Sequence, residues 1–258
     1  MQNNPNSNFE LYGREVLARI INTSNHQDSI VRVISEKLGY SIIEGQLLPG
    51  DDLNTVELSR QFNCSRTPVR EALLLLEKEG LVEIPERRRP RVRELSIEEV
   101  RDIYEVRTNL FGLVAELIVA RASTESIKSL ELYKNQMENA AQENDLETYF
   151  WANVAFQDAE VEICGNIQLK KSLDSMMLRM LKLRYNSLTR PGRLMQSLAD
   201  HERLIRAYLE RDAALAIALN RGIVQRGLTT LEKSGWAGLR HLEKRNGQEP
   251  PSPDSNNQ

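Results

Sequence analysis

The densest positive charge in the chain is Arg87-Arg88-Arg89-Pro90-Arg91-Val92-Arg93, five guanidiniums in seven residues. Like charges held so closely repel one another, and phosphate relieves that repulsion. Binding of a polyanion there would release counterions and depend on salt. A second basic set precedes it, in Ser65-Arg66-Thr67-Pro68-Val69-Arg70. On a helical wheel at about 100° per residue, Arg66, Thr67 and Arg70 share one arc. Val69, Ala72, Leu73 and Leu76 share another, which must face a core. An arginine presented in this way pairs bidentately with guanine O6 and N7 in a major groove, or with a phosphate. The free N–H groups at a helix start also favour phosphate, and Ser65 stands where it could both cap the helix and donate to phosphate. An arginine at a loop tip can enter a narrow minor groove. The candidate contacts to double-stranded DNA are therefore Ser65, Arg66, Thr67, Arg70, Arg87, Arg88, Arg89 and Arg91. Either set taken alone also fits a solvated face, the ordinary fate of surface charge.

Other chemistries find less support. No nucleophile stands with a base at recognisable spacing, so no enzyme is expected. Cys64 and Cys164 lie 100 positions apart, in no metal-type spacing, which fits a reducing cytosol and excludes a disulfide scaffold. No run of about 18 uncharged apolar residues suggests a membrane span, and MQNNPNSNFE does not read as a secretory signal. A cytoplasmic protein is expected. Net charge over the 258 residues is −3, which alone argues against a nucleic-acid binder. The distribution says more: residues 29–95 hold 11 Lys/Arg and 11 Asp/Glu, with the arginine run as a local spike.

The elements that must position these residues follow from periodicity and punctuation. Apolar residues at Phe9, Tyr12, Val16 and Ile20 predict a short helix, either docked on the body or reaching a partner, behind a disordered start at residues 1–8. Ser29 to Glu44 is amphipathic through Ile30, Val33, Ile34, Leu38 and Ile42. Leu48-Pro49-Gly50-Asp51 is a turn, and Asn54 to Glu57 reads as a capping box for a short second helix. Ser65 caps a third helix that ends near Gly80. Leu81 to Ile84 and Arg91 to Arg93 form a hairpin around the arginine run. Helix, helix, tight turn, helix and hairpin make a winged helix-turn-helix. Beyond Ser96 the pattern is all helical, in six segments: 96–122, 124–143, 145–164, 166–189, 193–211 and 212–234. The expected organisation is mainly α: an arm at 1–28, a winged helix-turn-helix at 29–95, a six-helix all-α bundle at 96–235, and a tail at 236–258.

Residues 29–95 resemble the DNA-binding domain of the GntR family of bacterial transcription regulators. Ser65-Arg66-Thr67-Pro68-Val69-Arg70-Glu71-Ala72-Leu73 matches that family's recognition-helix signature. Leu48 to Asp51 matches its turn, and Leu76 to Val82 its entry into the wing. The resemblance implies that Arg66, Thr67 and Arg70 contact operator DNA and that the wing assists. Two features depart from it: Val56 stands where the family often has arginine, and the wing tip lacks the usual glycine.

The helical remainder resembles the FCD type of the FadR subfamily. Its marks are Leu95 to Val100 leading to Tyr104-Glu105-Val106-Arg107, then Cys164-Gly165-Asn166, then Asp200 to Ile205. That resemblance implies a homodimer on an inverted-repeat operator, most often a repressor, answering to a small, carboxylate-bearing effector. It also implies a metal held by an Asp-x3-His pair and two further histidines. Here the pair reads Asn153 and Gln157, His201 is present, and no histidine lies near Gly222 or Ile223. No metal and no cofactor are therefore expected, because amide oxygens replace carboxylate and imidazole poorly around a transition metal. Asn153 and Gln157, four apart on one helical face, could instead donate to an effector. Arg107 would supply the countercharge and His201 a further hydrogen bond. The alternative is a degenerate pocket of satisfied polar groups, in a regulator controlled by a protein partner. Leu173, Met176, Met177, Met180 and Leu181 read as core or dimer surface.

Overall fold

The computed structural model describes residues 5–21 and 30–233. Helix α1 (Pro5–Ile20) leads into a small unit of α2 (Ile30–Ile43), α3 (Thr55–Gln61) and α4 (Arg66–Lys78). A hairpin follows, β1 (Val82–Glu83) antiparallel to β2 (Arg91–Val92), with Val82 opposite Val92 and Glu83 opposite Arg91. Asp52 adds an isolated bridge to Arg91. The second unit is helical throughout: α5 (Ile97–Arg121), α6 (Thr124–Lys128), α7 (Leu130–Gln142), α8 (Leu146–Cys164), α9 (Ile167–Asp174), α10 (Met177–Leu188), α11 (Arg193–Leu209) and α12 (Ala213–Lys233).

Local chemistry accounts for the ends of these elements. α4 stops at Gly80, whose φ of 76° is free of strain only without a Cβ. The N–H of Leu81 then returns to the Leu76 carbonyl at 3.0 Å, closing the last turn. α5 begins with a reciprocal capping box, Glu99 N–H to Ser96 Oγ at 3.1 Å and Ser96 N–H to Glu99 Oε2 at 2.9 Å.

Several expectations need correction. At α3 the Asn54 side chain caps the N–H of Val56 at 3.0 Å and donates to Glu57 Oε1 at 2.9 Å, so Glu57 meets the cap's side chain and not its backbone. Ser65 sits at the N-cap of α4 in extended conformation, yet its side chain makes no capping bond. On α2, Ile34, Leu38 and Ile42 are buried, whereas Ile30 and Val33 are exposed and Val31 and Ser35 are buried instead. A series spaced by four drifts about 40° per step on a 3.6-residue helix, which carries Ile30 to the rim and Val33 beyond it. The expected segments 124–143 and 166–189 are each broken in two, at Ser129 and at Ser175-Met176. Ser129 Oγ donates to the Ser126 carbonyl and Ser175 Oγ to the Ser172 carbonyl, both at 2.7 Å; such bonds give the backbone an alternative to the ladder. Residues 5–8, expected to be disordered, belong to α1. The expected tail lies outside the described residues.

α8 is the centre of the helical unit. Every residue from Tyr149 to Gln157 is buried, so the helix is enclosed on all sides. α7 packs on α8, and α12 lies along α5. α1 is docked on the body through α2, α8 and α10. There Gly13 lies against the Trp151 ring, Tyr40 stacks on Trp151 at 5.6 Å, and Tyr12 and Arg19 bond to Asp158 at 2.8 and 2.9 Å.

Candidate nucleic-acid interface and candidate effector pocket

α4 presents two faces of opposite character. Val69, Ala72, Leu73 and Leu76 are fully withdrawn from solvent, each at 0% exposure. Ser65, Arg66, Thr67 and Arg70 are exposed on the other side, at the N-terminal end. Core packing therefore fixes the helix rotation, and that rotation aims two guanidiniums and two hydroxyls outward. With no cap to serve, Ser65 Oγ is free to donate to an anion beside the unpaired N–H groups of the first turn.

The arginine run is split by its hairpin. Arg87, Arg88 and Arg89 are exposed at the tip. Arg89 lies 3.7 Å from Asp52. Arg91 is half-buried and held by Glu83 across the strands, and Arg93 is held by Glu99 at 2.6 Å. That leaves Arg87 and Arg88 most available. Arg87 adopts a left-handed backbone, φ 58°, at the tip where glycine would sit without strain. Between α3, α4 and the hairpin runs a groove of about 820 Å³, lined by Arg60, Arg70, Arg87, Arg88 and Arg89 against Glu57 and Glu86. The sequence reading missed Arg60. It lies on α3, whose exposed side gains meaning only once the groove exists.

The four candidate effector residues do come together inside the helical unit. Arg107 on α5, Asn153 and Gln157 on α8, and His201 on α11 are all buried. Arg107 donates to Gln157 Oε1 and lies over the Phe111 ring at 4.6 Å. His201 Nδ1 donates to the Ser197 carbonyl at 2.7 Å. Nε2 is then the acceptor, taking the Asn153 amide N–H at 3.1 Å. Burial pushes the imidazole down to about 4, so it is neutral. A fifth residue completes the network: Arg184 on α10 donates to Asn153 Oδ1 at 2.6 Å and to its carbonyl at 3.1 Å. Burial pushes Arg107 down to about 10 and Arg184 to about 9.

A divalent metal does not fit this donor set. The oxygens of Asn153 and Gln157 already accept from guanidiniums, the His201 lone pair is engaged, and Ile223 puts an aliphatic wall where a fourth ligand would stand. Two cations occupy the neighbourhood a third would need. Among the described residues, no group of three His, Cys, Asp or Glu could hold a metal. The cavity beside the network is small, about 30 Å³, and is also lined by Tyr104, Ser187 and Arg193. Tyr104 Oη, Ser187 Oγ and Arg193 Nε have no hydrogen-bond partner among the described residues, which leaves buried donors beside this small space. Arg184 and these donors were missed in sequence. The available signal was the arginine itself, four residues past Met180 on a stripe otherwise read as apolar.

Comparison with known proteins follows this division. The family described as "Bacterial regulatory proteins, gntR family" matches residues 31–92, and "FCD domain" matches residues 102–226. The uncharacterized HTH-type transcriptional regulator YdhC of Bacillus subtilis is 32% identical over 134 residues, 52% of this chain and 60% of that protein. The HTH-type transcriptional repressor GlaR of Escherichia coli is 28% identical over 188 residues, 70% of this chain and 86% of that protein. Among solved structures, E. coli McbR/YncC shares the fold at TM-score 0.68 and 22% identity, covering 80% of this chain and 99% of that one.

Proposed function

The chain belongs to the GntR family of bacterial regulatory proteins, with an FCD domain following its DNA-binding unit, and on that premise we propose that it is an effector-responsive repressor of the FadR subfamily. It binds an inverted-repeat operator as a homodimer in the cytoplasm. Members of this family are DNA-binding regulators and not enzymes. The observation that carries the reading is the fixed rotation of α4, which buries one face completely and leaves Ser65, Arg66, Thr67 and Arg70 free on the other. Arg87, Arg88 and Arg89 would follow the backbone beside it, with Arg91 serving mainly to brace the wing through Glu83. Two-fold symmetry in the protein matches two half-sites in the DNA. On α5, Val106 and Leu113 are exposed large apolar residues, with half-buried Leu110 and Leu117 between and beyond them. That stripe suits a second copy of the chain. An operator recovered by in vitro selection tests the reading: a footprint of two related half-sites supports it, and unselective binding overturns it.

The effector would be a small carboxylate held by Arg107, Arg184 and the Gln157 and Asn153 amides, with His201 fixing the Asn153 orientation. Guanidiniums would do the work that a metal does elsewhere, by pairing with the anion directly. The size of the cavity supports a second reading, a closed pocket with control by a protein partner. A thermal-shift screen of short organic acids separates them: stabilisation lost in Arg107→Gln supports the first, and no stabilisation by any acid supports the second.

A further inference from the structure

A second cavity, of about 410 Å³, lies where the winged unit meets the helical unit. One wall is α10, through Arg179, Lys182 and Leu183. The other is the turn at Leu48-Pro49, the entry to the hairpin at Leu81 and the link from the hairpin to α5 at Leu95, and Leu231 of α12 closes one end. Its volume is in the range of organic-ligand sites.

Lys182 sets its chemistry. Its Nζ is withdrawn from solvent and has no hydrogen-bond partner among the described residues. Burial pushes the ammonium down to about 8, with Glu94 and Asp51 acting the other way from a distance, so it stays largely charged at neutral pH. Two more cations face the space: Arg179, which donates to the Ser175 carbonyl at 3.4 Å and also acts on the Glu79 carboxyl, and Arg190, which stands exposed at the rim. Arg93 is already paired with Glu99. The carboxylates of Glu44 and Glu94 also line the wall, but neither forms an ion pair with Lys182. A buried ammonium with no carboxylate in direct contact is costly, and an anion entering the cavity to pair with it relieves that cost. The remaining wall is aliphatic and suits an apolar body.

We propose that this interdomain cavity binds an amphipathic organic anion, its acidic group on Lys182 and its apolar part against Leu81, Leu95, Leu183 and Leu231. The site is separate from the Arg107 and Arg184 network, and its occupant touches both units at once.

The test uses the full chain, anilinonaphthalene sulfonate as fluorescent probe and octanoate as competitor. Saturable binding of one probe per chain is expected, with displacement by octanoate. Lys182→Met should weaken the probe about tenfold or more, as expected when one charge-assisted hydrogen bond is removed. Lys182→Arg should restore most of it, and the uncharged phenylnaphthylamine should bind both forms alike. Arg184→Met, whatever it does to stability and to the response to short acids, should leave the dissociation constant of the probe within twofold of wild type. Equal probe binding by wild type and Lys182→Met overturns the proposal, as does a weakening in Arg184→Met as large as that in Lys182→Met. If Lys182→Met loses its helical circular dichroism, a crystal structure of the unaltered chain with bromo-octanoate decides: bromine in this cavity upholds the site, and bromine only elsewhere overturns it.

Discussion

Arginine serves two opposite purposes in this molecule. On α4 and the hairpin tip, the guanidiniums of Arg66, Arg70, Arg87 and Arg88 are exposed and keep their hydration, so the charges themselves ask nothing of the fold. In the helical unit Arg107 and Arg184 are buried, accommodated by amide and carbonyl oxygens and an aromatic face, and the fold carries their desolvation. Exposed guanidiniums can therefore be exchanged for function without touching stability. Buried ones tie stability and ligand response together, because the same charge that the fold must desolvate is what an anion would satisfy.

The strongest way to break this contrast is the double variant Arg66→Ala/Arg70→Ala. Each bidentate base contact is worth about 1–3 kcal/mol, so operator affinity should fall about 100-fold or more. The thermal midpoint should hardly move, as for other surface changes. A gel-shift titration beside a melting curve checks both halves; unchanged affinity removes α4 from the interface.

Arg184→Met should do the reverse. Removing this guanidinium relieves its desolvation but leaves Asn153 Oδ1 and the Asn153 carbonyl buried without their donor, so the unfolding free energy of the ligand-free chain should fall by about 1–3 kcal/mol. It should also abolish stabilisation by short carboxylates in the same melting experiment. A destabilised variant that keeps its response to acids would show that Arg184 is only a strut for Asn153.

Next in size is the wing. Arg87→Ala/Arg88→Ala/Arg89→Ala should reduce the slope of log K against log salt by about 0.9 for each phosphate that the wing no longer neutralises. An identical slope places the tip away from DNA. A smaller, local effect sits at Arg87, whose left-handed backbone costs about 1–2 kcal/mol that glycine avoids. Arg87→Gly should raise the denaturation midpoint slightly while weakening operator binding, a pairing not expected of a merely decorative residue.

The interior also titrates in a way the surface does not. His201, held neutral with its value pushed down to about 4, is protonated first in the unfolded chain. Its contribution is full above about 6.5 and is lost as pH falls towards 4. Burial pushes Glu160 the other way, up to about 8, against hydrogen bonds from Tyr208 at 2.6 Å and Asn220 at 3.0 Å. Held neutral, it favours the fold at low pH, and that advantage is lost as pH rises from about 4.5 to 8. Thermal midpoints across this range should fall less steeply on the acid side in His201→Gln and less steeply on the alkaline side in Glu160→Gln. Unaltered profiles would mean that neither group is held as described.

Legibility differed between the two regions for a physical reason. The inward face of α4 could be written down residue by residue from the wheel, because Val69, Ala72, Leu73 and Leu76 fall on a single arc and the remainder must face out. The end at Gly80 and the hairpin were equally visible, since turn chemistry is local. α2 was misjudged at its edge because a spacing of four approximates a period of 3.6 and the error accumulates by Ile30. The breaks at Ser129 and Ser175-Met176 were missed because a serine inside a helical pattern is tolerated as often as it interrupts. In the interior, Asn153, Gln157 and His201 could be named, whereas the partner that decides their chemistry, Arg184, comes from a helix 27 residues beyond Gln157.

Sequence alone was enough for the helix-turn-helix and its outward cations, because helical periodicity and capping act within a few residues. It was also enough to show that a metal-type ligand set is incomplete, since residue identity settles that. Which charges are buried, that Arg184 meets Asn153 while Arg91 meets Glu83, and that Lys182 is enclosed between two units were decided only by tertiary packing. Desolvation and hydrogen bonding depend on what surrounds a group in space, and those surroundings come from segments scattered along the whole chain.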